Sequence, residues 1–376
     1  MEERIYDYWV ATLQDGYIGD IVNMVDTAGG ARPLFEMSEK EMKERLGITE
    51  RLAGYIGERK GDISLIEEKY YRLAAKKICY VNHTDADFPD KLRYIPSRPY
   101  GLFVKGSLPD LDKPSVAIVG ARQCSEYGRI MAEYFGSRLA GEGVQIISGM
   151  AWGIDGISQM AAVNAGGRSF AVLGCGVDIT YPVKNRILYN RLCEDGNGIV
   201  SEYAPGTPAE SRRFPPRNRI ISGLCDVLIV VEARARSGTL ITVDMAVDQG
   251  RCVMVVPGRL TDDLSVGCLN LLYQGALLAT GTESVLEQLG IGRQMNMTDY
   301  IFEETSSQDT AGIPLDIQKV AKVLTIDPSG IEEIAQRAGV SESFAAVALT
   351  KLELKNLAKE ISPGFFTGSG HRFRDI

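Results

Sequence analysis

From Val116 to Gly290 the chain alternates between short, continuously apolar runs and stretches with the spacing of amphipathic helices. This pattern constrains the fold more than any other feature. A strand that is apolar along its whole length must be covered on both faces, and parallel strands need a crossover to reach one another. Val116–Val119 precedes a helix predicted over Tyr127–Leu139, and Val144–Ser148 precedes one over Ile154–Asn164. Phe170–Leu173 leads to Asn185–Cys193, Val227–Val231 to Thr239–Gln249, and Cys252–Val256 to Leu269–Gln274. Ile199–Ser201 leads into an arginine-rich segment instead. The expected architecture is α/β: a Rossmann-like, doubly wound parallel sheet over residues 113–291.

The flanks read differently. Residues 1–72 are expected to form a small helical domain, with apolar positions at Tyr8, Trp9 and Leu13 and again at Ile18, Ile21, Val22 and Val25. Ser38-Glu39-Lys40-Glu41 has the form of a capping box. Residues 73–112, with strands predicted at Ile78–Val81 and Leu102–Val104, form an extension leading into the sheet. Residues 292–312 are polar and read as a linker. In 313–376, three short helices (Ile317–Leu324, Ile331–Ala338, Ser343–Leu354) and a hairpin near Glu360–Phe366 give a winged-helix-like pattern. A helical protein-docking module has the same pattern, and the absence of Lys or Arg between Ser341 and Leu349 favours it over a DNA-reading helix.

Composition narrows the chemistry. Two histidines, His83 and His371, leave no basis for a histidine metal site or a Ser-His-Asp triad, so no metal is expected. Seven scattered cysteines without a C-x-x-C pair read as reduced thiols. The acidic start, Met1-Glu2-Glu3, is unlike a signal peptide, and the apolar runs are too short to span a bilayer, so a cytoplasmic location away from membranes is expected.

Against a formal net charge of -8, residues 211–237 carry six arginines (Arg212, Arg213, Arg217, Arg219, Arg234, Arg236) and two acids, Asp226 and Glu232. An anion site and a salt-bridged loop both fit such a cluster; arginine's planar fork suits phosphate oxygens. The turns after the strands would share one rim of the sheet, where open α/β sheets bind ligands. They contain Gly120-Ala121-Arg122 with Ser125, Tyr181 with Lys184-Asn185, and Ser237-Gly238. Arg122, Lys184, Arg217 and Arg219 would converge there, with Asn218 between the last two. The dinucleotide fingerprint G-x-G-x-x-G is absent, which disfavours a nicotinamide cofactor; no cofactor is expected. Tyr181 and Phe214 lie among these cations, either as stacking surfaces for unpaired bases or as core.

These motifs resemble the DNA-processing protein A (DprA, or Smf) family. The resemblance rests on Gly120-Ala121-Arg122-x-x-Ser125-x-Tyr127-Gly128, Ser148-Gly149-x-Ala151-x-Gly153-Ile154-Asp155 and Gly174-x-Gly176-x-Asp178-x-x-Tyr181-Pro182-x-x-Asn185. Phe214-Pro215-x-Arg217-Asn218-Arg219-Ile220-Ile221-Ser222-Gly223-Leu224 is its most diagnostic part. It implies single-stranded DNA binding without catalysis, dimerisation through the Rossmann-like domain, and delivery of the strand to the RecA recombinase during natural transformation. It also implies a sterile-alpha-motif-like N-terminal domain. The chain departs from the family at Leu269, where an Asn is usual.

Two alternatives share the superfamily: a nucleotide-binding sensor, and a nucleoside-monophosphate phosphoribohydrolase. The second needs a Glu where Thr242 stands, leaving Asp155 and Asp244 as the nearby carboxylates.

Overall fold

A computed structural model describes residues 2–14, 20–194, 196–291, 314–325, 327–355 and 357–368. The predicted linker at 292–312, Ile18 and His371 lie outside the described residues. The chain divides into two compact units, Met1–Ile291 and Gly292–Ile376.

The first unit is built on a nine-stranded sheet: β1 Ile78–Asn82, β2 Gly101–Gly106, β3 Ser115–Val119, β4 Gln145–Ser148, β5 Ser169–Leu173, β6 Gly198–Ser201, β7 Val227–Val230, β8 Cys252–Val255 and β9 Leu277–Leu278. Their spatial order is β1-β2-β6-β5-β4-β3-β7-β8-β9. From β3 to β9 every pairing is parallel, while β2 runs antiparallel to β6 and β1 antiparallel to β2. The residues expected to lead into the sheet therefore extend it by two strands. Strand order reverses at β3, where the chain first builds outward through β4 and β5 and later through β7 and β8. Every side chain of β3, β4, β5 and β7 is buried, the apolar ones as a sheet covered on both faces requires and the polar Ser115, Gln145, Ser148 and Ser169 with hydrogen-bond partners.

The crossover helices Glu126–Gly141, Ile154–Asn164, Arg186–Leu192, Gly238–Asp248 and Val266–Tyr273 fall close to their predicted positions. The arginine-rich segment holds a further helix, Phe214–Leu224, that was not predicted. Pro215 and Pro216 occupy its first turn, where a missing N–H costs no intrahelical bond.

Among the described residues six short helices precede the sheet. The predicted capping box forms: Ser38 Oγ accepts from the Glu41 amide at 3.2 Å, and Glu41 accepts from the Ser38 amide at 2.8 Å. The helices share one apolar core with the sheet, without a break near residue 72. Tyr8 meets Phe103 edge-on at 6.0 Å, Tyr100 donates to Asp7 at 2.5 Å, and Arg4 pairs with Asp85 at 2.5 Å.

In the second unit, helices Leu315–Val323, Ile331–Ala338 and Glu342–Leu354 enclose a core of Val320, Ile334, Leu349 and Leu352. Strands β10 Ser329–Gly330, β11 Ala358–Ser362 and β12 Phe365–Gly368 pair in the order β10-β12-β11.

Candidate nucleic-acid interface

The loops after β3, β4 and β5 and the start of the Phe214–Leu224 helix enclose a cleft of about 100 Å³. Arg122, Trp152, Tyr181, Phe214 and Arg217 line it, with backbone from Gly149, Ala151 and Gly174. Local sequence brings these loops together. Gly153 has φ +85°, and a Cβ there would strike the carbonyls of Ala121 and Arg122, so only glycine lets the loop after β4 dock on the loop after β3. At Gly174 a Cβ would lie 2.7 Å from the Phe214 ring, so its absence admits the aromatic. Met150 sits in the left-handed region at φ +52° although it is fully buried, a costly conformation for a non-glycine residue.

The aromatic centre of the cleft is a stacked pair. The Tyr181 and Phe214 rings lie 5.5 Å apart and 19° from parallel. The Arg122 and Arg217 guanidiniums sit 5.7 and 5.9 Å from the Phe214 centroid. Tyr181 is 43% exposed, so the pair is not closed off as core.

Arg217 forms the floor and is only 5% exposed. Its Nη1 donates to the Gly149 carbonyl at 3.0 Å and also to that of Val172, capping the ends of β4 and β5. The buried Asp155 accepts from the Gly149 amide at 3.1 Å. Burial pushes the Asp155 carboxyl up and the Arg217 guanidinium down to about 10. Their mutual attraction opposes both shifts, and Arg217 remains charged at neutral pH.

Other expected site residues have other tasks. Arg219 turns away from the cleft: it pairs with Glu202 at 2.5 Å and donates to the Ser97 carbonyl at 2.7 Å. Asn185 gives its side-chain amide to the carbonyls of Met150 and Ala151 at 2.9 and 3.1 Å, bracing the loop after β4. Asn218 accepts from Arg217 Nε at 3.2 Å. Ser237 caps the Gly238–Asp248 helix on the β7 side of β3, whereas the cleft opens on the β4–β5 side. Lys184 is exposed at the cleft's edge, 5.1 Å above the Trp152 ring. Trp152 is the aromatic lining residue that sequence reasoning missed. Its signal was available: a tryptophan in a strand-to-helix turn has no apolar run to bury it.

Gly120 and Ser125 lie at the reversal of strand order, the usual site for a nucleotide phosphate in such sheets. Here Glu232, at the end of β7, fills the place. Its carboxylate accepts from the Ser125 amide at 2.9 Å and from the Ser125 hydroxyl, at the amino end of the Glu126–Gly141 helix. The carboxylate takes the donors that would otherwise meet a phosphate. Among the described residues no group of three or more His, Cys, Asp or Glu side chains could hold a metal, and no helix is long and apolar enough to cross a membrane.

The fold and cleft define a class: a Rossmann-like protein with an open cationic and aromatic site at the carboxyl rim of its sheet. The sequence match is more specific. Residues 79–290 match the family model for DNA recombination-mediator protein A, and the chain belongs to that family. It is 44% identical to the DNA processing protein DprA of Streptococcus pneumoniae over 204 residues, 54% of this chain and 72% of the relative. It is 36% identical to the protein Smf of Escherichia coli over 282 residues, 75% of each chain. The solved structure of DNA processing protein A from S. pneumoniae aligns with a TM-score of 0.65 at 34% identity, covering 76% of this chain and 97% of that one. That of the Helicobacter pylori protein, described for its single-stranded DNA binding mode, aligns at 0.51 with 26% identity, covering 57% and 95%.

Proposed function

We propose that this protein binds single-stranded DNA across the carboxyl rim of its sheet, shields it, and passes it to the RecA recombinase during natural transformation, without catalysing a reaction. The observation that carries this reading is the Tyr181–Phe214 stack in an open cleft, with two guanidiniums beside its Phe214 ring. Stacked aromatics offer bases a sequence-tolerant surface, and duplex DNA does not present its base faces. Arg122 supplies a phosphate fork, and the buried charge of Arg217 raises the potential beneath it. The single-stranded DNA binding mode described for the H. pylori relative supports the same assignment.

The wider reading has the protein cytoplasmic and dimeric through the Rossmann-like region, with the C-terminal unit a winged-helix-like module for docking proteins. Two observations disfavour the nucleotide alternatives. Glu232 already occupies the donors where a mononucleotide phosphate would sit. For hydrolysis, Thr242 is buried, Asp244 is exposed on its helix, and Asp155 is spent on the Gly149 amide.

The test is an anisotropy titration with a single-stranded oligonucleotide, the matching duplex and AMP. Tight, salt-sensitive binding of the single strand alone is expected. Saturation by AMP would overturn the assignment.

A further inference from the structure

We propose that Trp152 is a second base-stacking platform, separate from the Tyr181–Phe214 pair, and that Lys184 covers it in the unbound protein. This rests on the single-stranded DNA reading and adds a subsite to it. The chain has two tryptophans, and they are placed in opposite ways. Trp9 is fully buried, with Nε1 donating to the Arg59 carbonyl at 2.8 Å. Trp152 is 49% exposed and lines the cleft. Asn185 braces the carbonyls of Met150 and Ala151, immediately before Trp152, and Gly153 docks the next residue on the loop after β3. A large apolar ring is therefore held partly in water on a fixed backbone, beside a site for unpaired bases.

Lys184 Nζ lies 5.1 Å from the centre of the Trp152 ring system. An exposed cation–π contact is worth about 2- to 5-fold in an equilibrium constant. A base stacked on an aromatic ring is worth about 5- to 150-fold. The exchange therefore favours the base. The displaced ammonium needs a new anionic partner, and the phosphate of the incoming nucleotide supplies one. Val183 and Ile187, 70% and 71% exposed, flank Lys184 with further apolar surface.

The experiment uses the full chain, an oligo-dT strand and an abasic strand of the same length. Oligo-dT should quench the tryptophan fluorescence of the parent protein, and the change should vanish in Trp152→Phe, whose remaining tryptophan is the buried Trp9. Trp152→Ala should bind oligo-dT about 5- to 150-fold more weakly, with affinity for the abasic strand unchanged. Equal affinity of Trp152→Ala and parent for oligo-dT would overturn the platform, as would an equal loss on both strands. Failure of the parent to bind oligo-dT would instead overturn the underlying reading, so the two failures are distinguishable.

Discussion

Arg122 and Arg217 touch the same aromatic ring and should behave in opposite ways when removed. Arg122 is exposed, so Arg122→Ala should change stability by no more than about 0.5 kcal/mol. It should weaken single-stranded DNA binding and make the slope of log K against log salt shallower by about 0.7 if one phosphate contact is lost. Arg217 is buried beside Asp155 and holds two strand ends. Arg217→Ala leaves a buried carboxylate without its counter-charge and should cost about 3–5 kcal/mol of stability, read from urea unfolding. An Arg217→Ala protein as stable as the parent would show that the Asp155–Arg217 attraction is not structural. A third residue gives a pH signature. Burial holds the His83 imidazole below its ordinary value of 6.5, so His83 is neutral in the folded state. A depressed folded pKa means its contribution is complete above 6.5 and is lost as pH falls through the folded value. Stability should therefore begin to fall below pH 6.5, ahead of the carboxylates, and His83→Gln should flatten that limb of the denaturation midpoint against pH.

At the scale of elements, strands are legible because their signal is local. The runs at 116–119, 170–173 and 227–231 mark buried strands whatever their neighbours, and the structure moves their ends by a residue. The Phe214–Leu224 helix is different: its opening prolines give no helical signal, although they are tolerated in a first turn, and its arginines hide the apolar face of Ile220, Ile221 and Leu224. The cleft divides in the same way. Arg122 and Tyr181 were legible because each stands in a segment that follows a strand, and Phe214 because it lies among arginines. The engagements of Arg219, Asn185 and Ser125 were not, because their partners come from 17, 34 and 107 residues away. Side chains so distant in sequence meet only after the sheet has formed. The stacked pair also makes a prediction at this scale. Tyr181→Ala and Phe214→Ala should each weaken oligonucleotide binding by about 1–3 kcal/mol, and the double variant should lose less than the sum, because each ring supports the other.

For the whole molecule, a dimer formed through the Rossmann-like region would place two clefts on one strand and lengthen the segment gripped. Sedimentation equilibrium should then give a mass near twice the 41.1 kDa of one chain; a concentration-independent monomer would count against it. The core shared between the N-terminal helices and the sheet bears on how the molecule is made. The helices from Glu2 to Ala75 bury their aromatics with Phe103, Leu173, Tyr189 and Ile199. A ribosome adding about 5–20 residues per second delivers Ile199 roughly 10–40 s after Trp9. During that interval Trp9, Tyr8 and their neighbours have left the exit tunnel without the surface that completes their packing. These helices, translated ahead of the sheet, are thus among the last elements to be locked in place, and the growing chain is most open to a holding chaperone before its sixth strand has emerged.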